Sequence, residues 1–270
     1  MINFLAVEDD HVLNNNRFPL SSKYNPEWIF KNEMGPNVLW LLEWLLEDLK
    51  IENRMRILDM GCGKVVSSIF LANEFNVEVW ANDLWISATD NWNRICEAGK
   101  SKKIFPIHAE AHDLPYPDNF FDCIVSIDSY HYYGTDELYA GYIKKYLKPG
   151  GKIGIVVPGV HNELNGNIPE YFLKKQKSGG VFWEWDCCTF HTENWWKAHW
   201  QNYPFFNLIK SEKMEDGGHL WLTWQKALDQ YDGNKEFPSD SEALEQDDNR
   251  TVTFVKVIAE KKEHNNRFFY

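Results

Sequence analysis

The chain has 270 residues, 44% of them hydrophobic, enough to build one domain around a sizeable core. Forty acidic residues against 28 basic ones leave a net charge of −12, which weighs against a nucleic-acid partner because phosphate binding needs clustered Lys and Arg. Five scattered cysteines with no Cys-x-x-Cys pair and no signal-type segment point to a reducing cytoplasm; adjacent Cys187 and Cys188 lack the further ligands of a metal site, so no metal is expected. The longest apolar run, residues 38–46, is too short to span a bilayer, and no membrane partner is expected.

In chain order, a polar segment to about Lys23 leads to a helix in which Asn25 caps and Pro26 fits the first turn. A second helix is expected over 37–49, after Gly35-Pro36, and residues 1–50 read as a helical lid segment ahead of a main domain over 51–260. Strands and helices then alternate, with strands at 56–60, 77–82, near 107, 119–127 and 152–157, and helices at 66–75, 87–98 and 136–146. This pattern implies a Rossmann-like doubly wound, seven-stranded, mostly parallel sheet with helices on both faces and a ligand at the carboxyl ends of the strands. Beyond Pro158 the pattern breaks, and residues 159–203 read as an insertion between strands five and six that caps the acceptor side. A strand at 206–210, a helix at 219–230, a solvated acidic loop between Asp240 and Asp248, a last strand at 251–259 and a tail at 261–270 complete the chain.

The run Arg56-Ile57-Leu58-Asp59-Met60-Gly61-Cys62-Gly63 is a buried strand breaking into glycines, and Asp83 waits at the end of the next strand. Glycines admit a ligand close to the backbone, and a carboxylate accepts hydrogen bonds from both ribose hydroxyls, so the pair suggests a nucleoside site. Val66 occupies the third glycine position of the dinucleotide fingerprint, which is therefore incomplete. Asp59, Gly61 and Gly63 resemble instead the first motif of the class I S-adenosylmethionine-dependent methyltransferases, with Val65 where that pattern usually has a further glycine. The stretches 107–116, 119–129 and 147–157 resemble later motifs of the family in the correct order.

The resemblance implies S-adenosylmethionine as cofactor, S-adenosylhomocysteine as product and a small-molecule methyl acceptor. It implies cofactor contacts at Asp59, Gly61, Cys62, Gly63, Asp83, Leu84, Trp85, Glu110, Ala111, His112 and Ile127; either Glu110 or Asp113 could read the adenine amino group, with Glu110 preferred. Ser126, Asp128, Ser129 and His131 resemble the fourth motif of the small-molecule branch, which includes phosphoethanolamine, glycine and sarcosine N-methyltransferases. Asp128, His131 and Tyr24 are accordingly the catalytic candidates, Tyr24 lining the acceptor pocket from the lid, with Tyr130, Tyr132 and Tyr133 as further lining. An amine nitrogen is the expected acceptor, with sulfur or oxygen next; a non-catalytic cofactor-binding protein and a lipid-modifying relative are the competing readings. Of thirteen Trp, Trp183, Trp185, Trp195, Trp196 and Trp200 crowd into the insertion with Phe182 and Phe190 and could cage a cationic centre, whereas Trp196 and Trp200, four apart, could simply form the apolar face of a helix.

Overall fold

A computed structural model describes residues 14–231 and 233–263. Asn25 accepts hydrogen bonds from the amides of Glu27 and Trp28 and starts helix α1 (Pro26–Lys31); Asn37 does the same for Leu39 and Trp40 at the start of α2 (Val38–Leu46). There follow β1 (Arg56–Met60), α3 (Val66–Phe75), β2 (Glu78–Asp83), α4 (Ala88–Glu97), β3 (Ile104–His108), β4 (Phe121–Ile127), α5 (Tyr139–Ile143) and β5 (Leu147–Val160). The chain finishes with α6 (Glu193–Gln201), β6 (Phe206–Lys213), α7 (Gly217–Gln230), α8 (Ser241–Asp247) and β7 (Val252–Lys261).

The seven strands form one sheet in the order β3-β2-β1-β4-β5-β7-β6. The first five pair in parallel, and β7 runs antiparallel between β5 and β6. Because side chains alternate across a strand, each strand feeds two cores. Ile57, Val79, Val125 and Ile258 pack on the face covered by α2, α3 and α7, while Leu58, Ile124, Ile155 and Val257 pack on the face holding Tyr130, Tyr139, Trp196 and Trp200. The strand order reverses between β1 and β4, which opens a crevice at their carboxyl ends.

Three expectations need correction. The acidic segment is no solvated loop: α8 buries Ala243 and Leu244, and Asp247 is fully buried, accepting hydrogen bonds from the amides of Thr251 and Val252 and from the Tyr171 hydroxyl. The helix expected at 136–146 starts only at Tyr139, because the Asp136 carboxylate takes the amide of Leu138 in a local turn. Lys261 is the last residue of β7, with its ammonium on the Leu147 carbonyl and Asn119, so no tail begins there; residues 264–270 of the expected tail lie outside the described residues. Residues 1–13 of the lid segment also lie outside them; within the remainder α2 packs as a layer of the core. Among the described residues no helix is long and apolar enough to cross a membrane.

Candidate active site

The site is organised by the β1–α3 loop. Gly61 and Gly63 have φ of +68° and +52°, and a Cβ on Gly61 would lie 1.9 Å from Ser129 Oγ. A side chain is thus barred by backbone conformation and by space together. The amides of Gly61 and Cys62 donate to the Asn82 carbonyl at 2.9 and 3.0 Å, and that of Gly63 donates to Asp83 Oδ2 at 2.8 Å. Asp83 Oδ1 accepts the amides of Trp85 and Ile86 at 2.8 and 2.9 Å, so one buried carboxylate ties the β1 loop to the β2 loop. Val65, at the position of the family's further glycine, keeps the left-handed conformation (φ +62°) although it is β-branched, a strain of about 1–2 kcal/mol. Complete burial and an amide bond to the Cys62 carbonyl hold it there.

Asp59 does not reach the ligand crevice. It shares the face of β1 with Ile57, under α3, where its Oδ2 accepts 2.6 Å hydrogen bonds from Ser67 and Ser68. Burial pushes its carboxyl up to about 6 against the pull of the two serines. Its hydrogen bonds come from the first turn of α3, and it does not line the cavity.

The crevice itself is a cavity of about 300 Å³. It gathers Gly61, Cys62 and Gly63 from the β1 loop, Asp83, Leu84 and Trp85 from the end of β2, Glu110, Ala111 and His112 after β3, and Ile127 and Asp128 from the end of β4. Glu110 accepts the His112 amide at 2.8 Å and faces His112 Nδ1 at 2.9 Å; burial raises its carboxyl, but the hydrogen bonds from His112 prevail and hold it below the usual range. Asp113, the alternative for this place, does not line the cavity. The expected set omitted Lys64, Ser129 and the arc Asn32, Met34, Pro36 and Val38, which closes the cavity from the helix connection before α2. The Gly35-Pro36 break marked that connection as a turn, but nothing in its residue types indicated what it faces.

At the acceptor end Asp128 has φ +54°, pinned by its amide on the Val156 carbonyl at 2.8 Å. Its half-buried carboxylate accepts no hydrogen bond among the described residues and lies so near Gly35 that a Cβ there would meet Oδ2 at 2.7 Å. Burial, and then the charge of Asp186, push it up to about 8. Beside it, Ser126 donates to the Met60 carbonyl at 2.9 Å, so the Tyr133 hydroxyl, 3.2 Å away, must donate to Ser126. Ser129, 3.2 Å from the same hydroxyl, must in turn donate to Tyr133. The remaining lone pairs make Ser129 Oγ an acceptor within the cavity wall.

The other two catalytic candidates lie elsewhere. His131 is buried, packs against Tyr132 and Phe190 with ring centroids 4.0 and 5.8 Å away, and does not line the cavity. Its Nδ1 has no hydrogen-bond partner among the described residues, and burial lowers its pKa to about 3, so the ring is neutral at physiological pH. Tyr24 sits in the core against Phe70, its hydroxyl 3.3 Å from both Glu74 Oε1 and Asn73 Nδ2, also off the cavity wall. Tyr132 and Tyr133 do line the cavity, whereas Tyr130 is buried behind it. Trp196 and Trp200 are the apolar face of α6, stacked under Tyr130, and form no cage.

Residues 57–151 match the family model described as a methyltransferase domain. Among curated proteins the chain is similar to the fatty-acid O-methyltransferase of Mycolicibacterium smegmatis, with 28% identity over 97 residues covering 36% of this chain and 34% of that one. It is also similar to the phosphoethanolamine N-methyltransferase of Triticum aestivum, with 31% identity over 106 residues covering 39% and 21%. The matches thus span about a third and a fifth of those relatives' lengths. Among solved structures, phosphoethanolamine N-methyltransferase 2 of Haemonchus contortus, in complex with phosphomonomethylethanolamine and S-adenosylhomocysteine, shares the fold at a TM-score of 0.64 and 20% identity, over 96% of this chain and 61% of that one. Geranyl diphosphate C-methyltransferase from Streptomyces coelicolor A3(2) shares it at a TM-score of 0.60 and 14% identity, over 81% and 78%. The domain match over residues 57–151, the strand order and the glycine loop bound to Asp83 together give this chain a methyltransferase domain with the class I S-adenosylmethionine-dependent methyltransferase fold.

Proposed function

We propose that the chain methylates a small-molecule amine nitrogen with S-adenosylmethionine as the methyl donor. The observation that carries this reading is one cavity with Asp83 and the Gly61–Gly63 cradle at one end and the unpaired Asp128 carboxylate at the other. The residues suit the cofactor: Asp83 is an acceptor for ribose hydroxyls, Glu110 is an acceptor for the adenine amino group, and the glycine loop leaves the space that side chains would fill. When bound, S-adenosylmethionine supplies an electrophilic methyl group on a sulfonium sulfur. The protein's own task is positioning and the removal of one proton, since an ammonium has no lone pair for attack. Asp128 takes that proton, and a carboxyl held near 8 is suited to exchange it at physiological pH. Ser129 Oγ, its own proton committed to Tyr133, accepts a second N–H of the amine.

Titration calorimetry with S-adenosylmethionine, S-adenosylhomocysteine and NAD tests the cofactor, followed by an amine screen read by S-adenosylhomocysteine formation. Binding of the first two and turnover of an amine are expected. Binding of NAD alone would overturn the reading, and cofactor binding with no turnover on any acceptor would make the chain a non-catalytic binding protein.

A further inference from the structure

Building on that reading, we propose that the acceptor is a free cationic amine bearing neither phosphate nor carboxylate, and that Trp85, Tyr132, Asp128 and Asp186 form its receptor. The cavity wall carries three carboxylates, Asp83, Glu110 and Asp128. Among the described residues the single lysine or arginine lining it is Lys64, whose ammonium is already 2.7 Å from Glu236 Oε2 and 3.4 Å from the Glu33 carbonyl. A phosphate or carboxylate on the acceptor would therefore find no uncommitted cation among the described residues of the cavity wall to meet it.

The opposite charge is provided for. Trp85 and Tyr132 both line the cavity, in tilted contact with ring centroids 6.0 Å apart and planes at 56°, and they are 64% and 44% exposed. Two aromatic faces so exposed to solvent attract a desolvating ammonium, which needs to come within about 6 Å of each centroid. Asp186, from the insertion, does not itself line the cavity but accepts a hydrogen bond from the Tyr132 hydroxyl, and its negative charge acts on Asp128 as well. Asp128 itself has no hydrogen-bond donor among the described residues, so a bound N–H group is its natural partner. Two rings and two carboxylates at the acceptor end recognise a cation, and the phosphate of a substrate such as phosphomonomethylethanolamine, seen in the Haemonchus contortus enzyme, is selected against.

The probes are choline and phosphocholine, titrated into the full chain saturated with S-adenosylhomocysteine; the two differ only in the phosphate and cannot be methylated further. Choline is expected to bind, with phosphocholine weaker by about tenfold or more. Asp128→Asn is expected to weaken choline by about tenfold, and Trp85→Ala, kept saturated at the S-adenosylhomocysteine affinity measured for that variant, by about threefold or more. Phosphocholine binding as tightly as choline, or choline failing to bind, would overturn the proposal. Methylation of a phosphorylated amine in preference to its free counterpart would overturn it too, while leaving the methyltransferase reading in place. Failure of that broader reading shows separately, as an absence of S-adenosylmethionine binding.

Discussion

The two ends of the cavity differ in how much of their polar chemistry the protein completes for itself. At the glycine-loop end Asp83 accepts three backbone hydrogen bonds and the loop amides are tied to Asn82, so the geometry is set before any ligand arrives. At the other end Asp128 accepts none among the described residues, and its charge is disfavoured by burial and by Asp186. The first end is built for fixed shape. The second stores an unmet demand that a cationic ligand relieves, so binding and reactivity there depend on what enters.

Substitutions can break this contrast, and the largest effect is expected at the unfinished end. Asp128→Asn should leave S-adenosylmethionine affinity near wild type yet slow methyl transfer by about 10²–10⁴, the usual contribution of a general base. The wild-type pH profile of kcat/KM should show the same group: a base whose pKa is raised to about 8 is active only when deprotonated, so the rate climbs as pH rises to about 8 and then levels. The Asn variant should lack that limb, and an unchanged rate would return Asp128 to a purely structural role. Asp83→Ala comes next, with cofactor affinity in calorimetry weakened by about 1.5–3 kcal/mol through loss of hydrogen bonds to a charged group. Gly61→Ala should cost about 1–2 kcal/mol of stability in thermal unfolding from its positive φ, and displacement of Ser129 should lower affinity further. Tyr24→Phe should be the smallest, within about 1 kcal/mol in stability and without effect on turnover, because its hydroxyl bonds are long and lie away from the cavity. A large loss of turnover in that variant would restore Tyr24 to the site.

What could be read from the sequence was local. The bounds of α3 are those that the apolar pattern implied, and Asn25, Pro26 and Ser87 act at helix starts because capping depends on neighbours two or three residues away. The glycine spacing and Asp83 were legible because a tight turn followed by a strand-end carboxylate is also a short-range pattern. Facing was not legible. His131 and Tyr132 are adjacent, yet one is buried against Phe190 from the insertion and the other lines the cavity, and only tertiary packing decides between them. Asp59 likewise lies two residues before Gly61 but turns beneath α3, and Met34 and Pro36 join the site through a chain reversal that no periodicity encodes. Asp247 was hidden for the opposite reason: an acidic run reads as solvated, and the buried member of it cannot be picked out without knowing that the Thr251 and Val252 amides need an acceptor.

The antiparallel placement of β7 bears on how the molecule assembles. Its partners β5 and β6 are made first, and each keeps an unpaired edge until residues 252–261 slot between them. The β5–β7 pairing thus joins Lys152 to Glu260, more than a hundred residues apart, so loop closure comes before the reward of strand pairing. During synthesis the nascent chain passes through an interval in which the β5 edge is open to wrong partners. Folding should therefore be slow and governed by the arrival of the last strand, and truncation before Val252 should yield an aggregation-prone chain rather than a smaller enzyme.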